Sequence, residues 1–174
     1  MDRCVTRREI AKLLCWTAAA SAVTPAQAAT LPQPAERPIL TVTGKISTFN
    51  EGNSARFDRP MLEALGMSSF VTTTPWYTGP VRFEGVLMSK LLETVGSTGE
   101  RVVATALNDY STEIPISDFA QYGVLLALKR DGEYMTVRDK GPLFIVYPFD
   151  SRPELKRQQF YGRSAWQLAR LSIV

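Results

Sequence analysis

Along the chain, apolar positions fall into short runs separated by turn residues. From Ile39 onward Leu40, Val42 and Ile46 alternate with Thr and Lys, which predicts a strand with Gly44 as a bulge or bend. Asn50-Glu51-Gly52-Asn53 is turn material. Asp58 stands where it can cap a short helix through Leu65, with Met61, Leu62 and Leu65 on one face and Gly66 closing it. Residues 69–74 read as a strand ending at Pro75-Trp76. After a turn at Tyr77-Thr78-Gly79-Pro80, Val81-Arg82-Phe83 leads to Gly85. A helix is expected over residues 86–95, with Val86, Leu87, Lys90, Leu91 and Val95 as a partly apolar stripe.

Residues 101–107 predict another strand, left through the polar loop Asn108-Asp109-Tyr110-Ser111. Ser117 is positioned to cap a single turn over residues 118–121, with Asp118 as a helix-start carboxylate. Residues 124–128 and 134–137 read as strands joined through Arg130-Asp131-Gly132-Glu133, whose Asp-Gly pair is a hairpin signal. Residues 143–147 are continuously apolar, as in a central strand. Residues 153–160 are short helix or loop, and residues 166–173 a closing strand. Many strands with few short helices predict an α+β domain built around a sheet, with the topology left open.

The start of the chain follows a different pattern. Arg3, Arg7 and Arg8 precede a mainly small, apolar stretch over residues 13–23, and Ala26-Gln27-Ala28 fits a small-residue cleavage site. Residues 1–28 therefore read as a signal peptide, and the mature protein is expected in the periplasm. The apolar stretch is too short and alanine-rich for a bilayer span, which needs about 20 apolar residues. Thr6-Arg7-Arg8-Glu9-Ile10-Ala11-Lys12 looks like a twin-arginine motif, although a general secretory leader with two adjacent arginines fits as well. Residues 29–38, with Pro32, Pro34 and Pro38, are expected to be a flexible lead-in to a domain over residues 39–174.

Removing the leader decides much of the chemistry. Cys4 and Cys15 leave with it, and the chain has no histidine. No catalytic residue stands out: Ser-His and Cys-His pairs are excluded, as are metal sites built on Cys or His. Four of the 20 basic and two of the 17 acidic residues lie in the leader, so the mature domain carries a net charge of +1. A nearly neutral domain without a basic stripe offers no footprint for nucleic acid or an anionic membrane.

Five segments in order carry a family resemblance. They are Leu40-Thr-Val-Thr-Gly-Lys-Ile46, Phe83-Glu-Gly-Val-Leu-Met-Ser-Lys-Leu-Leu92, Ala106-Leu-Asn-Asp-Tyr110 with Ile114-Pro115, Leu125-Leu-Ala127 with Asp131-Gly132, and Lys140-Gly-Pro-Leu143 through Pro148. The series resembles the molybdopterin-binding domain of the sulfite-oxidase superfamily. That implies a single domain with the mixed-sheet, sandwich-like sulfite-oxidase fold. Enzymes of that superfamily hold molybdenum through a cysteine on the loop before a Trp-containing segment. Here that stretch reads Phe70-Val71-Thr72-Thr73-Thr74-Pro75-Trp76, with threonine in the ligand's place. A hydroxyl does not replace a thiolate as a soft ligand.

The chain is similar to a cofactor-free branch as well: periplasmic pterin-binding proteins that regulate membrane-bound enzymes of cyclic-di-GMP metabolism. The matching segments are residues 72–76, Asn108-Asp109-Tyr110 and Arg163-Ser164-Ala165-Trp166. This resemblance implies a reduced pterin such as a tetrahydropterin as ligand, no tightly bound cofactor, and contact with the periplasmic domain of a sensor. The alternative it leaves is a molybdopterin-dependent oxidoreductase carrying the molybdenum cofactor. A flat, polar heterocycle needs aromatic faces plus donors and acceptors at its edge. The candidates are Thr72, Thr74, Trp76, Tyr77, Arg82, Asn108, Asp109, Tyr110, Lys140, Arg163 and Trp166. Each has a plainer reading as core, turn or solvated charge.

Overall fold

The computed structural model describes residues 30–174; the leader expected at residues 1–28 lies outside the described residues. Among the described residues no helix is long and apolar enough to cross a membrane.

Two sheets enclose one core. The first joins β2 (Ala55–Phe57), β1 (Leu40–Gly44), β10 (Leu168–Ile173), β5 (Arg101–Ala106) and β6 (Ser111–Pro115) in that order. β1 and β10 run parallel, and the other pairs antiparallel. The second runs β3 (Met67–Thr73), β4 (Pro80–Leu87), β7 (Leu125–Arg130). Both β8 (Glu133–Tyr134) and β9 (Phe144–Val146) pair with β7, completing a mixed-sheet α+β domain. Val42, Phe57 and Leu171 of the first sheet and Phe83, Leu126 and Phe144 of the second share the buried core.

Local chemistry sets the turns. Asp58 caps α1 (Arg59–Ala64) by accepting from the Met61 N–H at 2.9 Å, and it accepts from the Glu36 N–H at 2.8 Å. Burial pushes the Asp58 carboxyl up, and these backbone donors more than offset it, holding the group below its ordinary value. Residues 30–38 lie along the domain through this contact, through a Thr30–Phe49 bridge, and through a bond from Asn50 Nδ2 to the Pro32 carbonyl. At Gly85 a Cβ would overlap the Leu126 backbone, so only glycine lets β4 and β7 approach this closely.

Several elements differ from the sequence pattern. Val86 and Leu87 continue β4 and pair with Leu126 and Leu125, so the helix begins only at Met88, as α2 (Met88–Thr94). Strand pairing overrides the helical stripe there. Residues 111–115 form the edge strand β6, whose mixed polarity hid it. α3 (Ile116–Tyr122) is a full helix starting after Pro115, so Ser117 is not its cap. β8 has two residues, because Val137–Asp139 turns as a 3-10 helix. β9 lies beside β7, with an isolated bridge to Trp166 on its other side. A 3-10 turn at Pro153–Leu155 precedes α4 (Gln158–Arg163).

Candidate functional site

Where the Phe144–Trp166 bridge ties the second sheet to the entry of β10, the surface opens into a cleft of about 420 Å³. That volume lies in the small-molecule range of about 300–1,000 Å³. Pro75 and Trp76 come from the β3–β4 connection, Tyr110 from the β5–β6 turn, Gln158, Tyr161 and Gly162 from α4, and Ser164 and Trp166 from the segment entering β10.

The cleft's aromatic wall is built from the core outward. Trp76 stands edge-on to Phe144 at 5.5 Å, to Tyr161 at 6.1 Å and to Trp166 at 5.3 Å between ring centroids. Phe149 closes the cluster from below, 4.8 Å from Tyr161. Edge-to-face packing of this kind fixes ring orientation as well as burying area. Tyr110 is 52% exposed at the rim, and the N–H of its own backbone is held by the Asn108 side chain in an Asx turn.

Behind α4 lies a buried polar knot. Asp118 accepts from the Tyr147 hydroxyl at 2.8 Å and from Arg163 at 2.7 Å. Burial, then the bond to Asp118, drives the Tyr147 hydroxyl well above its ordinary value, so Tyr147 stays protonated. The pair pins the C-terminal end of α4 to α3 and β9. Thr112 adds a bond to the Gly162 carbonyl at 2.9 Å. Asp118 is thus more than a helix-start carboxylate: it is 6% exposed and serves two donors.

Of the eleven residues singled out in the sequence, Trp76, Tyr110 and Trp166 line the cleft. Thr72 and Thr74 are buried beside it: the Thr72 hydroxyl accepts from the Asp150 N–H at 3.0 Å, and the Thr74 hydroxyl from the Trp76 N–H at 3.3 Å. Arg163 is committed to Asp118. The rest lie off the lining. Tyr77 donates to the Asp139 carbonyl and sits beneath Arg130 and Lys140, and burial raises its hydroxyl above the ordinary value. Arg82 reaches Ser69 and Glu84 on the face of the second sheet. Asp109, left-handed at φ 62°, pairs with Arg170 in solvent.

Sequence reasoning missed Pro75, Gln158, Tyr161, Gly162 and Ser164 as lining residues. The available signal was Tyr161-Gly162 directly before Arg163-Ser164, an aromatic and a small residue adjoining a segment already singled out.

The cleft's hydrogen-bonding groups are an amide and hydroxyls, from Gln158, Ser164, Tyr110 and Tyr161, with no charged side chain in the lining. Among the described residues no group of three His, Cys, Asp or Glu is placed to hold a metal. With no thiolate or imidazole there, and the Thr72 hydroxyl already engaged, these residues do not fit a molybdenum centre. The lining offers aromatic surface and neutral hydrogen-bonding groups.

No curated protein matches the chain. Residues 51–149, more than half of its length, match the oxidoreductase molybdopterin binding domain. One mixed and one antiparallel sheet around one core, with a cleft where they join, agree with that match, and the chain belongs to the family of oxidoreductase molybdopterin-binding domains.

Proposed function

We propose that this protein is a periplasmic, non-catalytic pterin receptor that binds a reduced pterin in the Trp76–Trp166 cleft and reports occupancy to a membrane-bound signalling partner. The observation that carries the reading is the cleft itself: an aromatic wall with neutral donors and acceptors, in a fold whose metal-ligating cysteine is replaced by threonine. The pterin ring packs against the wall formed by Trp76, Tyr161 and Trp166, and Gln158 and Tyr110 bond its edge. The partner is the periplasmic domain of an enzyme of cyclic-di-GMP metabolism, a choice supported by the resemblance of residues 72–76, 108–110 and 163–166. Coupling then obeys reciprocity: the partner changes pterin affinity by the factor that pterin changes partner affinity.

Titration of the purified protein with tetrahydropterin, followed by tryptophan fluorescence, tests the binding. Saturable quenching is expected, and an unchanged signal up to about 1 mM, the weak limit of useful affinity, sinks the proposal. Family membership keeps the molybdopterin-dependent oxidoreductase as the second reading. Stoichiometric molybdenum in protein recovered from its native compartment would replace the receptor with that enzyme.

A further inference from the structure

Proteins protect the free edges of their sheets, because unpaired N–H and C=O groups recruit other strands. Most edges here carry such protection. β2 and β9 have three residues each and β8 two. β6 contains Glu113 and Pro115, and its Thr112 is bonded to α4. β3 is the exception among the described strands. Its seven residues, Met67-Ser68-Ser69-Phe70-Val71-Thr72-Thr73, include no charge and no proline, and its register with β4 is unbroken.

The direction of its backbone groups follows from two hydrogen bonds. The Thr73 N–H points away from β4, because the Asp150 carboxylate takes it. Opposite Val71, Arg82 turns its carbonyl to the Asp131 N–H and its own N–H to the Asp131 carboxylate, so it too faces away from β3. In an antiparallel ladder these directions alternate. Ser68, Phe70 and Thr72 therefore bond β4, while Met67, Ser69 and Val71 turn N–H and C=O groups outward that no strand among the described residues pairs. Asp150, itself paired with Lys156, blocks the ladder at Thr73. The open segment is residues 67–71, and its centre is Ser69.

We propose that this edge pairs antiparallel with the same edge of a second copy of the chain, with the two-fold axis at Ser69. Self-pairing satisfies the segment in a way its symmetry dictates: Ser69 faces Ser69 of the other copy, and Met67 faces Val71 in both directions. Met67 and Val71 are 41% and 58% exposed, and pairing sets these apolar side chains against each other. The absence of charge on β3 removes any like-charge clash between copies. The result is a continuous sheet across both copies, built through an isologous contact. A five-residue ladder falls short of the roughly 1,200 Å² of stable interfaces, so the dimer is weak and concentration-dependent.

Sedimentation of the purified protein up to about 1 mM, with amide hydrogen exchange at both ends of that range, tests the pairing. A monomer–dimer equilibrium is expected, with exchange at Met67, Ser69 and Val71 slowed at high concentration while Ser68, Phe70 and Thr72 are unchanged. Ser69→Pro removes an N–H that β4 does not use and should weaken the dimer at least tenfold. If that variant fails to fold, Val71→Lys, on an exposed side chain, carries the same expectation. A protein that stays monomeric throughout overturns the proposal. So does a dimer that persists in the folded variants, because it then uses another surface.

Discussion

The indole rings of Trp76 and Trp166 meet edge to face with centroids 5.3 Å apart, and both border the cleft. The chain's third tryptophan, Trp16, belongs to the expected leader. Tryptophan fluorescence of the mature protein therefore reports on the cleft alone. Trp76 also packs on Phe144 and Phe149, so it serves core and cleft together. Trp76→Ala should abolish pterin binding and cost about 2–3 kcal/mol in urea unfolding, below the loss for a fully buried Trp. Trp76→Phe should recover most of the stability but not all of the affinity.

Tyr110 separates binding from folding more cleanly. Its side chain stands at the rim, half exposed, and makes no bond that holds the domain. Tyr110→Ser should weaken pterin binding about tenfold while leaving stability within about 0.5 kcal/mol of the parent. Calorimetric titration alongside thermal unfolding checks both halves. Unchanged affinity would remove Tyr110 from the binding surface.

Asp118 serves two donors, and their losses differ in kind. Asp118→Ala leaves the Arg163 guanidinium half-buried without its partner and the Tyr147 hydroxyl unbonded, at a cost of about 3 kcal/mol. Tyr147→Phe removes one hydrogen bond and should cost about 1 kcal/mol. Denaturant titration of both variants and their double mutant measures the coupling. Because Arg163 ends α4, Asp118→Asn should also loosen the cleft wall and lower pterin affinity, even where the fold survives.

Acid should test the Asp150 contacts. The bond from Lys156, followed by those from the Thr73 N–H and hydroxyl, lowers the Asp150 carboxyl to about 2. A carboxyl lowered in the native state stabilises it above the unfolded-state value, near 4, and this contribution disappears as pH falls from there toward 2. Asp150 is a partly exposed surface pair, so the contribution is no more than about 1 kcal/mol. Stability measured from pH 5 to pH 2 should fall less steeply in Asp150→Asn than in the parent. Equal slopes would mean that the contacts do not persist in solution.

Local chemistry was the legible part of this fold. Asp58 as a cap, Gly66 after the helix, Asp131-Gly132 between strands and the alternation from Leu40 to Val42 each act within a few residues. Val86 and Leu87 were misread because their conformation is decided by Leu126 and Leu125, far along the chain. The cleft was half legible for the same reason. Trp76, Tyr110 and Trp166 sit in segments with a recognisable order, but Tyr161 and Gln158 are brought to the site by α4, which Asp118 and Thr112 hold through contacts across 45 and 50 residues. Arg82 and Asp109 looked available in sequence, but Arg82 pairs with Glu84 on the same face of its strand, and Asp109 meets Arg170, 61 residues away, a partner that sequence distance concealed.

The position of β10 between β1 and β5 bears on how the protein is made. Residues 168–173 leave the ribosome after every other strand of their sheet, yet they form its middle. Until they arrive, β1 and β5 have no shared partner, and the nascent chain holds two unjoined pieces of one sheet. Trp166, immediately upstream, completes the aromatic wall at the same moment, so ligand binding and closure of the sheet become possible together. A translation product stopped short of Trp166 would lack both.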